Sequence, residues 1–543
     1  MPIITHDKKD LLNLIGTKLS TQELEEVISL IKPNVESSTE TEIVLEVTPE
    51  RPDLFGIEGL SRAIKLYLGL SGFKNYQVLN SKLNIKATHI PKRPYIAAAV
   101  IRNVSMTDAF IKSLMNIQEI LAESIGRKRK KVAIGIHDLD GISQNISYVE
   151  ANRDEKIFPL GTNEEMTLIE VLEKIPKGKE YGHLLAGVEK FPVFKDANGI
   201  FSFPPIINSD RTRVTEKTKN LFVELTGLDK KAVLQTLNII VTNFAERGCI
   251  IESVKIFYGD KFEVTPELSP SYVDLGIGEI NKLIGLDLKK SDVIGSLSRM
   301  GYGATDNKDV LRIYIPQYRT DILHKIDLLE DVAIGYGFNN FIPHLPNIAT
   351  VGRSHPIEKL SNKVRNLLIG FGFQEIIRPI LTNRRNMFDR MCAKQENIIE
   401  LENPVSEEYA CLRNWLLPSL VEVLSANKHV EYPQNIFEVG DAVIPDYQEE
   451  TMSKTVRKIS CSMSHSKASY DEIKGVVESL LKQMGTDYAF KENSSSTFIE
   501  GRQASIVVKN NIVGFLGEIN PEVLDKWGLE MPCAAFEIEL EKL

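Results

Sequence analysis

Between Pro316 and Phe341 the sequence sets four carboxylates, Asp321, Asp327, Glu330 and Asp331, beside the apolar spacing of a helix, and that combination narrows what this stretch can build. Ile322, Ile326, Leu329 and Ala333 recur every three to four residues. The spacing predicts a half-buried helix from about Asp321 to Gly335, ended by Gly335 and Gly337. At about 100° per residue, Asp327, Glu330 and Asp331 fall on one arc beside the stripe, and Asp321 stands at the helix start. Like charges so spaced repel, and no Lys or Arg lies one turn further on to pair with them. A solvated acidic face satisfies this pattern. So does a hard cation such as magnesium, held partly by water and partly by another molecule.

Pro316, Tyr318, Arg319, Asp321, Ile322, Asp327, Glu330, Asp331, Tyr336, Gly337, Asn339 and Asn340 together resemble a long signature of the phenylalanyl-tRNA synthetase β-subunit family. The resemblance implies that Asp321, Asp327, Glu330 and Asp331 bind a magnesium ion shared with an α subunit.

The 543 residues allow three or four domains, and an apolar content of 43% with 26% charged residues is ordinary for a globular protein. A net charge of −9 argues against a surface that grips nucleic acid throughout, so any RNA contact must be local or supplied by a partner. Cys249, Cys392, Cys411, Cys461 and Cys533 are too far apart for a zinc knuckle and suit a reducing compartment. With no apolar leader after Met1 and no run of about 18 apolar residues, a soluble, cytoplasmic protein is expected.

In chain order, the pattern predicts an N-terminal α+β domain over 1–85, with a capped helix after Ser20 and a strand at Ile43 to Val47. Arg51-Pro52-Asp53 reads as a turn before a helix from Glu58 to Leu68, and the string to Arg62 also resembles the β-subunit family. A mixed domain follows over 86–268. Its basic run, Arg127 to Lys131, reads as a solvated surface or as a contact for a phosphate backbone. Further on, Pro204-Pro205 forbids helix and sets Ser202, Asn208 and Asp210 on loops around an apolar run, as a pocket or as a stabilised turn. Residues 201–208 resemble the editing domain of archaeal and eukaryotic phenylalanyl-tRNA synthetases. The resemblance places Ser202 and Asn208 in the editing pocket; Asp210 and His137 are added as nearby polar candidates.

The small domain 269–348 carries the acidic helix, after two short helices and a strand at Val310 to Ile315. Residues 349–543 read as one α+β module, with a helix from Ile357 to Gly370 and a strand over Gly372 to Pro379. Asn403-Pro404-Val405-Ser406, Leu412-Arg413, Leu416 to Leu420 and Ile436 to Asp441 resemble the part of the family built like a class II synthetase core, an antiparallel sheet. The ATP-binding arginines of active class II chains have no counterpart here, so this core is expected to lack its own aminoacylation site. The expected whole is a multidomain α+β protein of the archaeal or eukaryotic cytoplasmic type. It would work in an α2β2 complex whose α subunit charges tRNA(Phe) with phenylalanine and ATP, while the β subunit hydrolyses mischarged tyrosyl-tRNA(Phe). The alternative is a non-catalytic scaffold with a lapsed editing site.

Overall fold

Chain folding here is described from a computed structural model covering residues 2–308 and 310–543. Two compact units emerge, Met1–Leu345 and Pro346–Leu543, and the break falls beside the boundary expected at 348. The boundary expected at 85 does not separate two cores. Ile4, Leu11, Leu45, Leu60 and Ile64 share one buried cluster with Ala97, Val223, Leu237 and Phe244, because the helix Ile57–Tyr67 is buried on several sides.

The N-terminal part of the first unit is a three-stranded antiparallel sheet in the order Ile3–Asp7, Glu42–Glu46, Asn34–Ser38, with helices Lys8–Ile15 and Thr21–Leu30. Ser20 and Glu23 close a capping box at the start of the second helix, as the sequence suggests. Arg51 and Asp53 are more than turn chemistry. They form a buried two-pronged ion pair, with Nε to Oδ1 at 2.8 Å and Nη2 to Oδ2 at 2.9 Å.

Next comes a ten-stranded sheet. Its central strands are apolar on both faces: along Tyr95–Arg102, Ala97, Ala99 and Ile101 join the core under the helices, while Ile96, Ala98 and Val100 join a second core on the opposite face. The neighbouring strand Leu221–Gly227 alternates likewise, with Leu221, Val223 and Leu225 on the helix side and Phe222 on the other. Period-two alternation therefore sends Glu224 to the Phe222 side, inside a buried strand.

The acidic segment belongs to a three-stranded sheet, Ser271–Gly276, Val310–Ile315 and Gly303–Asn307, packed with helices Ile277–Ile284, Lys290–Arg299 and Lys325–Tyr336. The helix expected from Asp321 begins only at Lys325, because the Asp327 carboxylate takes the backbone N–H groups of Leu323 and His324, each at 2.8 Å, and caps the helix there. The buried side matches the expected stripe only in part. Leu329 is buried and Ile322 packs on the same core, but Leu328 and Val332 face that core too, whereas Ile326 is exposed.

The second unit is built on a seven-stranded sheet ordered Gln374–Glu375, Gln434–Pro445, Ser453–Ser464, Cys533–Glu539, Asn511–Ile519, Phe498–Val508, Ala489–Glu492. All neighbours run antiparallel except the first pair. Side chains alternate between two cores: Ala534, Phe536 and Ile538 pack with helices Pro356–Gly370 and Tyr470–Met484, while Cys533 and Ala535 pack with Leu417–Ala426 and Pro521–Trp527. The strand expected over Gly372 to Pro379 shrinks to Gln374–Glu375. Among the described residues, no helix is long and apolar enough to cross a membrane, and all five cysteines are free.

Candidate functional site

Two polar clusters collect the candidate residues. The first lies where the two end strands of the ten-stranded sheet, Ile207–Asn208 and Val132–Asp138, come together. Ser202 is not on a loop: it sits in strand Gly199–Phe203 and is 1% exposed. Asn208 lies opposite it in the two-residue strand Ile207–Asn208. The Ser202 hydroxyl is 2.8 Å from Glu224 Oε1 and 3.5 Å from Asn208 Oδ1, and Asn208 Nδ2 donates to the Ile136 carbonyl at 3.3 Å. Strand Val132–Asp138 pairs antiparallel with Leu221–Gly227, setting His137 opposite Phe222 and Gly135 opposite Glu224. That register brings His137 Nε2 to 3.8 Å from Glu224 Oε1.

Gly135 is the permissive residue. A Cβ there would stand 2.2 Å from Glu224 Oε1 and 2.9 Å from His137 Nε2, so any side chain would evict the carboxylate. Rings of Phe201 and Phe222 lie 5.1 Å and 6.1 Å from the His137 ring and make the surroundings apolar.

The Thr212 hydroxyl lies 2.8 Å from His137 Nδ1 and 3.2 Å from Ser209 O, and its single proton serves one or the other according to the imidazole tautomer. His137 Nε2 faces the Glu224 carboxylate. Both it and Glu224 Oε2 are buried without a hydrogen-bond partner among the described residues. Burying two polar atoms unpaired is costly, so the cluster is left wanting a hydrogen-bond partner such as a hydroxyl or a water.

Asp210 does not join this group. Its carboxylate accepts from Gly161 N at 3.1 Å and faces Arg213 at 3.9 Å, so it serves a turn. Glu224 was missed in the sequence. The available signal was a lone carboxylate inside the apolar strand Leu-Phe-Val-Glu-Leu, a position that charged residues occupy almost only when partnered.

The acidic set behaves differently from its sequence pattern. Asp331 is 1% exposed and binds both the Arg319 guanidinium and the Tyr302 hydroxyl. Asp321 receives Arg319 Nε at 2.9 Å and Nη2 at 2.7 Å. Burial would raise the Asp321 carboxyl, but Arg319 and then Arg51 outweigh it and hold the group down at about 2. Glu330 pairs with Lys32 at 3.1 Å. The three acids of the expected unpaired arc thus have partners, one of them remote in sequence, and the arc is split by burial.

As a magnesium site the set fits in chemistry, being all hard oxygen donors, and Asp331 Oδ1 is buried with no hydrogen-bond partner. It does not fit as a complete centre. Among the described residues no three acidic, histidine or cysteine side chains converge to hold a metal.

Three family models match successive parts of the chain: the B3/4 domain over residues 93–249, the tRNA synthetase B5 domain over 273–338 and the phenylalanyl tRNA synthetase beta chain CLM domain over 342–540. The phenylalanine–tRNA ligase beta subunit of Methanococcus aeolicus is 41% identical over 558 aligned residues, covering 100% of both chains. That of Pyrococcus abyssi is 39% identical, again over 100% of both. A crystal structure of an N-terminal fragment of the phenylalanyl-tRNA synthetase beta subunit from Pyrococcus horikoshii superposes with a TM-score of 0.60 at 38% identity, over 62% of this chain and 99% of the fragment. End-to-end identity at this level, with a domain match in every part of the chain after its N-terminal segment, means that the protein belongs to the phenylalanine–tRNA ligase β-subunit family.

Proposed function

We propose that the chain works with an α subunit in an α2β2 phenylalanine–tRNA ligase, supporting ATP-dependent charging of tRNA(Phe), and that its own chemistry is hydrolysis of mischarged tyrosyl-tRNA(Phe). The mostly antiparallel sheet of residues 346–543 supports a synthetase-like core. Within it Arg413 is spent on a buried ion pair with Glu438 at 2.7 Å, not held free for a phosphate. The α subunit accordingly supplies the synthetic site.

The observation that carries the editing reading is the pair of buried atoms without a hydrogen-bond partner among the described residues, Glu224 Oε2 and His137 Nε2, in an aromatic surround. Tyrosine is phenylalanine plus one hydroxyl. An apolar synthetic pocket rejects that addition by only about 10²-fold, whereas a site built to bind the hydroxyl discriminates far more sharply. Here the phenol would donate to Glu224, with Ser202 orienting the carboxylate and Asn208 beside Ser202 on the facing strand. A phenylalanyl ring would leave the carboxylate oxygen unpaired. The Ser202 hydroxyl donates to Glu224 and is not bonded to an imidazole, so its role is recognition; a held water or the terminal ribose hydroxyl attacks the ester.

The test is deacylation of tyrosyl- and phenylalanyl-tRNA by the α–β complex. Glu224→Ala and Ser202→Ala are expected to slow tyrosine release at least tenfold and leave phenylalanine charging unchanged. Unchanged release in both variants, or none in the parent, would favour the scaffold alternative.

Asp321, Asp327, Glu330 and Asp331 are proposed to hold magnesium only when the α subunit completes the ligand set. The ion would then tie the two chains together.

A further inference from the structure

The basic run Arg127 to Lys131 has no role in the cluster described above, yet the fold treats it as a built feature. Its backbone is folded back on the end of helix Asp108–Glu123: Gly126 N, Arg129 N and Lys128 N donate to Leu121 O, Ala122 O and Glu123 O at 2.9, 3.0 and 3.3 Å. To do so, Arg127, Lys128 and Arg129 adopt φ of 46°, 54° and 60°, three successive left-handed residues with no glycine among them. Gly126 is required just before them, since a Cβ there would stand 2.3 Å from Ala122 O.

One side chain faces inward. Arg129 Nη1 donates to Pro205 O and Ile206 O, both at 3.0 Å, gripping the turn that joins Ser202 to Asn208. Buried Arg93 ties the Arg129 carbonyl (3.1 Å) to Thr226 (2.9 Å), on the strand that carries Glu224. The others face out. Arg127, Lys128 and Lys130 are exposed and make no ion pair or side-chain hydrogen bond among the described residues.

Arg127, Lys130 and Lys131 open onto a cavity of about 540 Å³, whose other wall is Tyr95, Leu228, Asp229 and Lys230. Asp229 and Lys230 begin the 17-residue helix Lys230–Glu246, so its positive end lies at the same mouth. The one carboxylate in the lining is committed. Asp229 caps the helix through Ala232 N at 3.2 Å and pairs with Lys131 at 3.1 Å. Lys230 is paired with Glu263 at 2.6 Å, which leaves Arg127 and Lys130 as the free charges of the lining, with exposed Lys128 between them in sequence.

We infer that this turn and helix end form the seat for the phosphate backbone of the tRNA whose 3′ end enters the editing cluster. In a chain of net charge −9, unneutralised cations at a concave mouth call for a polyanion. The Arg129 and Arg93 bonds make the seat continuous with the strands bearing Ser202 and Glu224. The inference rests on the editing reading for the identity of its ligand.

The test is binding of an unacylated tRNA(Phe) transcript to the full chain, followed from about 50 mM to about 200 mM salt, a range over which binding to phosphates is strongly weakened. In the triple variant Arg127→Asn, Lys128→Asn, Lys130→Gln, asparagine is chosen because it tolerates the left-handed backbone. The log–log salt slope should flatten by about 2 to 3, roughly one for each phosphate left without its cation, and affinity at low salt should fall about 10- to 100-fold. Should that variant misfold, Lys130→Gln alone, outside the left-handed run, is expected to flatten the slope by about 1.

An unchanged slope, or no salt-dependent binding by the parent, overturns the inference. So does unchanged tRNA binding alongside abolished binding of a polyglutamate peptide, which would assign the surface to an acidic protein segment. An unchanged slope with tyrosyl-tRNA hydrolysis intact rejects the seat and keeps the editing reading. A flattened slope in a protein that cannot hydrolyse tyrosyl-tRNA keeps the seat and rejects editing.

Discussion

His6 shows how much a single buried group can decide. It points inward from the first strand, its Nε2 has no partner among the described residues, and burial pushes its imidazole down to about 4 although Asp10 pulls the other way. A folded-state value below the ordinary 6.5 means that the folded protein resists protonation. This stability is therefore complete above pH 6.5 and is lost as pH falls from there toward 4. Between about pH 7 and pH 5 the loss is about 2 kcal/mol. Denaturant unfolding of His6→Leu should show a loss smaller by about that amount; an identical pH dependence in variant and parent would mean that the ring takes up its proton equally in both states. Gly135 and Glu224 make the complementary point. A missing side chain on one strand is what allows a buried carboxylate on the next.

At the scale of elements, helix Lys325–Tyr336 separates two uses of the same carboxylates. Asp327 caps the helix, Asp331 neutralises buried Arg319, and Glu330 is exposed. Asp327→Asn keeps an oxygen for the cap and Glu330→Gln removes an exposed charge and its half-exposed ion pair with Lys32, so this double variant should cost the isolated chain about 1 kcal/mol. Its assembly with the α subunit should nevertheless become less dependent on magnesium, as read from complex stability with and without chelator. Equal responses of variant and parent would show that the acids act only within this chain. Asp331→Asn is a different experiment. It leaves the Arg319 guanidinium undercompensated in the core and should cost about 3 to 5 kcal/mol whatever metal is present.

For the whole molecule, the notable stretch is residues 341–355, which has no regular secondary structure and leaves Leu345 and Val351 97% and 87% exposed. It joins two units that each have their own buried clusters. Limited trypsin digestion of the isolated chain is expected to cut first at exposed Arg353 and leave two protease-resistant fragments. A first cut elsewhere, or loss of either fragment at the same rate as the intact chain, would show that the units depend on one another for stability.

Local signals that depend on neighbours in sequence were legible from the sequence alone: the Ser20 capping box and the strand Val310–Ile315. The acidic signature and the proline turn between Ser202 and Asn208 were legible too, because they are written in consecutive residues. What the carboxylates do was not, since their partners come from elsewhere: Lys32 for Glu330, Tyr302 and Arg319 for Asp331. Only strand register, a long-range property, set Gly135 against Glu224 and drew His137, Ser202 and Asn208 around it while turning Asp210 away. Sequence spacing determines which residues share a helix face or a strand face. Which face is buried, and which charge meets which, is decided by packing between segments far apart in the chain.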